Sequence, residues 1–148
     1  MLVLSFTFAP FSVLAQESQR GPMIVEGGAA CEENIVNLEG MVAEAQESSE
    51  RIFVIARLGR DEASRRLTRR RLHNARRYLS VVRGLNPDSL VFAEGEPSSG
   101  KGRVEFYLGG KLVLVSIAER GGDLCVCCCE HERCGRYYGW GKRDSPRR

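Results

Sequence analysis

Along the chain, apolar residues change their spacing in a way that marks out the elements. From Cys31 to about Gln46, Ile35, Leu38, Met41, Val42 and Ala45 recur at helical steps behind Glu32 and Glu33, which predicts an amphipathic helix with acids in its first turn. Between Arg51 and Leu58 the period is lost: Ile52, Phe53, Val54 and Ile55 follow one another without a polar break, the pattern of a central strand covered on both faces, and Gly59 ends it. A second helix is expected to start near Asp61 or Ser64, either of which can cap it. It should run to about Arg83, where Gly84 stops it and Pro87 prevents its resumption. Ser89 to Glu94 reads as another strand. Val104, Phe106 and Leu108 then alternate with polar residues, Gly109-Gly110 turns the chain, and Leu112 to Ile117 returns as the second arm of a hairpin. Ahead of all these, Met23, Ile24 and Val25 before Gly27-Gly28 form a short strand. The order is strand, helix, strand, helix, strand, hairpin, a β-α-β-α-β-β succession when the hairpin is counted once. It implies an α/β (α+β) two-layer sandwich with the two helices packed on one face of a mixed sheet.

The first residues do not join this pattern. Met1 to Gln16 carries no charged side chain, is mainly apolar and ends in Val13-Leu14-Ala15, which suits removal of residues 1–15 as an export signal. The stretch is too short to span a membrane, which takes about 20 apolar residues. The chain therefore divides into a signal at 1–15, a linker at 16–22, an α/β domain at 23–120 and a Cys-rich, basic tail at 121–148. A total of 148 residues leaves no room for two independent cores. The expected location is the periplasm or cell envelope.

Six cysteines in so short a chain agree with export. Cys31 stands alone, whereas Cys125, Cys127, Cys128, Cys129 and Cys134 crowd together near the C-terminus. A disulfide from Cys31 to the tail is the simplest staple, and the sequence leaves its tail partner open. Cys125 and Cys128 also have C-x-x-C spacing, and with His131 and Cys134 could form a tetrahedral zinc site or a set of redox thiols. Export favours disulfides over metal, and no cofactor is expected.

Charge adds a second asymmetry. The formal total is +3, yet Glu17 to Glu50 holds eight acids against Arg20 alone, and Arg57 to Arg77 holds nine arginines against Asp61 and Glu62. An acidic helix and a basic helix follow. No aromatic residues interleave the arginines to stack bases, so a nucleic acid partner is not expected. On the second helix, an advance of about 100° per residue from Leu67 gathers Ala75, Tyr78, Leu79 and Val82 into a buried stripe. Arg65, Arg69, Arg76 and Arg77 fall on the opposite side. Arg71 falls at about 40°, inside the stripe, where an unpaired guanidinium is costly. It needs a carboxylate from this protein or from a ligand, and Asp61, at the mouth of the same loop, is the nearest candidate for sharing a pocket with it.

At these residues the sequence resembles the OmpA-like peptidoglycan-associating domain family. Leu67-Thr68-Arg69-Arg70-Arg71-Leu72-His73-Asn74-Ala75-Arg76-Arg77-Tyr78-Leu79 is similar to the family's helix signature, Leu-Ser-x-x-Arg-Ala-x-x-Val-x-x-Tyr-Leu. Gly84-Leu85-Asn86-Pro87 resembles the turn that follows, Ala93-Glu94-Gly95-Glu96-Pro97 the Gly-x-Gly-Glu-x-x-Pro stretch, and Arg103-Val104-Glu105-Phe106 the closing strand. Val54 to Asp61 is similar to the strand and Gly-His-Thr-Asp loop, with Gly59-Arg60 in place of Gly-His-Thr and a shorter passage to the helix. The likeness spans roughly Asn34 to Leu108. It implies that Asp61 and Arg71 hold the amino and carboxylate groups of diaminopimelate in the peptide stem of peptidoglycan, a guanidinium gripping a carboxylate and an aspartate pairing with an ammonium.

Other constellations are weaker. Gly95 to Gly102 nearly spells a phosphate-binding loop, but the residue after Lys101 is Gly102 and the segment leads into a hairpin rather than a helix. His73 and His131 have no evident nucleophile, and Ser64, Ser98 and Ser99 sit in no nucleophile motif, so no enzyme is expected. The sequence thus points to an exported, non-catalytic, peptidoglycan-binding-type domain. The alternatives are a structural or protein-interaction domain on the same scaffold, with an envelope protein as partner and Arg71 paired internally, or a tail that carries zinc or reactive thiols.

Overall fold

The computed structural model describes residues 21–26 and 30–126. Its elements are β1 (Met23–Glu26), α1 (Ala30–Ser48), β2 (Ile52–Arg57), α2 (Arg65–Arg77), β3 (Leu90–Glu94), β4 (Arg103–Leu108) and β5 (Lys111–Ile117). A π-helical turn, Tyr78–Val82, prolongs α2. The strands form one five-stranded sheet in the order β1-β5-β4-β2-β3. β1 lies parallel to β5 and β2 parallel to β3, while β4 is antiparallel to both β2 and β5. This is a mixed sheet joined by two helical crossovers, the loop from β3 past β2 to β4, and one hairpin, compatible with the two-layer α/β sandwich.

The hairpin turns at Gly109 and Gly110, both with positive φ (55° and 89°), the conformation a two-residue turn between twisted strands demands. Register then sorts the side chains. Ile52, Val54 and Ala56 of β2 lie opposite Leu108, Phe106 and Val104 of β4, and all six are buried beneath the helices. They pack with Leu38, Met41, Val42 and Ala45 of α1 and with Ala75, Tyr78 and Leu79 of the second helix in a single core. The two helices therefore share one face, α1 over β1 and β5, α2 over β2 and β3.

Two expectations need amendment. β2 is interior in the sheet, but Phe53 and Ile55 are only half-buried, since their face has no helix above it. Val82, placed by helical periodicity in the buried stripe, is exposed. The π-helical turn inserts extra chain per revolution and rotates Val82 out of line.

The domain also runs further than its expected end at residue 120. Leu124 and Val126 are buried in the core, and Cys125 forms a disulfide with Cys31, 94 residues earlier, with Cα atoms 4.8 Å apart. Asn34 of α1 donates from Nδ2 to the Cys125 carbonyl at 3.0 Å, which ties the same segment to the helix a second time. The expected signal, residues 1–15, and the tail beyond Val126 lie outside the described residues. Among the described residues, no helix is long and apolar enough to cross a membrane.

Candidate functional site

Arg71 lies two turns into α2, and the lean of helical side chains toward the N-terminus carries its guanidinium back to the loops at the end of the sheet. The side chain is completely buried. Its partner is Glu62, not Asp61. Nη2 donates to Glu62 Oε1 at 2.7 Å and Nη1 to Oε2 at 2.9 Å, a two-point fork. The remaining donors are also spent inside the protein: Nε and Nη2 reach the Gly122 carbonyl at 3.0 and 2.8 Å, and Nη1 reaches the Arg57 carbonyl at 3.3 Å. A guanidinium has five N–H groups, and all of Arg71's have an acceptor.

Glu62 is equally saturated. Besides the fork from Arg71, Oε2 accepts from the Gly59 amide at 2.8 Å and Oε1 from the Gly121 amide at 2.9 Å. Burial pushes its carboxyl pKa up, but the hydrogen bonds from Arg71, Gly59 and Gly121 outweigh burial and hold it at about 2. Gly102 seals the assembly from above, because a Cβ there would collide with Glu62 Oε2 and Arg71 Nη1. Gly59 meets the backbone of the 100–102 strip in the same way. The pair thus clamps the end of β2, the 59–62 loop, the 100–102 strip and the 119–122 turn.

Asp61 points away from this arrangement: it is exposed, and its carboxylate takes no part in the Arg71 network. The two residues expected to share a pocket are therefore not brought together. Glu62 neighbours Asp61, and local spacing does not assign it to Arg71. The usable signal was the burial of Arg71 itself, which demands the acid that can be buried with it, and the first residue of the acidic pair faces solvent.

The sheet's other face carries a second cluster. On β4, Arg103, Glu105 and Tyr107 alternate with the core residues Val104, Phe106 and Leu108, so they share the uncovered side. Glu105 accepts from Arg57 Nε at 3.0 Å, Arg103 Nε at 2.7 Å and the Tyr107 hydroxyl at 2.9 Å. Burial raises the Glu105 carboxyl pKa, and these three donors more than reverse it. The Arg57 guanidinium is raised mainly by its hydrogen bond to Glu105, and Tyr107 is raised by burial and then by the same carboxylate. The period-two spacing of 103, 105 and 107 was the available signal.

The remaining candidates separate easily. Gly95 to Gly102 joins β3 to β4 with no helix after it, and its Ser98 amide and hydroxyl are bound to the Leu58 and Lys101 carbonyls. Cys125 is committed to Cys31, which removes one ligand from the zinc set; Cys128, His131 and Cys134, like Cys127 and Cys129, lie outside the described residues. Among the described residues no group of three or more His, Cys, Asp or Glu side chains is placed to hold a metal ion. Comparison of the chain with family models, with curated proteins and with solved structures finds no match.

Proposed function

We propose that this chain is an exported, non-catalytic envelope domain that serves as a structural or protein-binding scaffold, with Arg71 used to hold the fold rather than a ligand. One observation carries the reading: every donor of Arg71 and every acceptor site of Glu62 is taken within the protein. A diaminopimelate carboxylate would have to displace Glu62 and strand a buried charge, at a cost of about 3–5 kcal/mol that the new contact would have to exceed. The Cys31–Cys125 disulfide supports an oxidising compartment, and hence export.

Cosedimentation with purified diaminopimelate-type peptidoglycan tests this directly. The folded parent should stay in the supernatant. Saturable pelleting that is abolished in Asp61→Ala, an exposed position whose replacement leaves the buried pair intact, would overturn the scaffold reading in favour of wall binding.

A further inference from the structure

The helix layer is divided into two fields of opposite sign. α1 carries Glu32, Glu33, Glu39, Glu44 and Glu47, all exposed, and no lysine or arginine. α2 carries seven arginines and no acid, and Arg71 alone is buried among them. The fields lie side by side: α1 sits over β1 and β5, α2 over β2 and β3, about three strand spacings or 14 Å apart. Arg83, just past the second helix, pairs with Glu39 of α1. Arg69 pairs with Glu94 on β3 and Arg70 with Asp123 after β5. Both involve exposed side chains, and such pairs contribute little.

We propose that two copies of this chain associate through their helix layers about a two-fold axis parallel to the helices and midway between them. That axis, and not one across the helices, sets each acidic α1 against the partner's basic α2, so both pairings close at once. Charge complementarity selects this occupant over a foreign polyanion. An extended anionic surface that met α2 would meet the glutamates of α1 in the same layer, whereas a rotated copy offers the opposite sign to each helix. The inference deepens the protein-binding reading by naming its partner, and it uses neither Arg71 nor Asp61.

Sedimentation velocity of the purified chain tests it at about 0.01 M and about 1 M salt, where Debye lengths are about 30 and 3 Å. Dimer is expected at low salt and at least a tenfold weaker association at high salt. Glu32→Arg with Glu33→Arg reduces the charge of α1 from −5 to −1, and Arg65→Glu with Arg69→Glu reduces that of α2 from +7 to +3; both pairs lie at the N-terminal ends of their helices, which the proposed axis sets opposite each other. Each variant, checked for folding by circular dichroism, should associate at least tenfold more weakly than the parent. An equimolar mixture should recover the dimer, since the substituted end of α1 in one variant then faces the substituted end of α2 in the other. A monomeric parent at low salt, variants that dimerise as the parent does, or a mixture that associates no more tightly than either variant alone would each overturn the proposal. Variants that dimerise unchanged would direct attention to the uncovered sheet face instead. Peptidoglycan pelleting is read separately, so failure of this dimer leaves the scaffold reading standing and the reverse also holds.

Discussion

At the scale of single residues, the Arg71–Glu62 pair makes acid sensitivity calculable. The folded carboxyl pKa of about 2 lies below its ordinary 4.5, so the native state favours the ionised form. That stabilisation is fully present above pH 4.5, shrinks as the pH falls towards 2 and is gone below it; the shift corresponds to about 3 kcal/mol. Urea unfolding of the parent and Glu62→Gln across this range should therefore show a gap that is wide at neutral pH and closes towards pH 2. A gap independent of pH would mean that Glu62 does not titrate with folding. Arg71→Met should cost about 3–5 kcal/mol by leaving the carboxylate buried and unpaired. Adding Glu62→Leu should not restore the loss, because the Gly59 and Gly121 amides and the Gly122 carbonyl then lack partners. Full rescue by the double variant would show that the backbone contacts are incidental. Helical periodicity was enough to find Arg71 on the wrong side of its helix. It was not enough to choose between adjacent acids, since Asp61 and Glu62 lie in a loop whose path depends on Gly59, Gly102 and the 119–122 turn, contacts distant in sequence.

At the scale of elements, two glycines give opposite expectations. Gly84 closes the second helix at φ 67°, and its Leu85 amide reaches back to the Leu79 carbonyl at 3.1 Å across the widened π-helical turn. A Cβ there touches nothing within 4 Å, so Gly84→Ala should cost the left-handed backbone penalty alone, about 1–2 kcal/mol. Gly40 sits in the interior of α1, also with nothing within 4 Å of a Cβ, and Gly40→Ala should stabilise by about 1 kcal/mol through helix propensity. Denaturant midpoints of the two variants should move in opposite directions; movement in the same direction would refute the assignment of one backbone conformation. Strands and helices were legible here because turn glycines and apolar periodicity agree, as at Gly84 and Gly109-Gly110. The π-helical turn at Tyr78–Val82 was not, since helical spacing alone continues smoothly through it. The unbroken run Ile52 to Ile55 misled for a related reason: apolar residues on both sides of a strand do not reveal whether a second layer exists to cover them.

At the scale of the whole molecule, the segment from Gly121 to Val126 binds the ends of the fold together. It offers the Gly121 amide and Gly122 carbonyl to the buried pair, lays Leu124 and Val126 in the core and bonds Cys125 to Cys31. Its membership in the domain was hidden in the sequence by composition, because glycine and cysteine there resemble the start of a tail. Closing a loop of 94 residues is worth about 4 to 5 kcal/mol in the chain-entropy model, so Cys31→Ser should lower stability by several kcal/mol relative to the oxidised parent. Among the contacts that hold this segment are the disulfide at Cys125 and the Glu62 carboxylate at Gly121. With the bridge absent, its excursions already release the Gly121 amide, and less remains for Glu62→Gln to lose. A double-mutant cycle on Cys31→Ser and Glu62→Gln should accordingly give a combined loss smaller than the sum by about 0.5–3 kcal/mol. Strict additivity would show that the disulfide and Glu62 act on independent parts of the molecule. Coupling within that range, together with faster amide exchange at Gly121 in Cys31→Ser, would establish that disulfide and buried ion pair hold one cooperative unit.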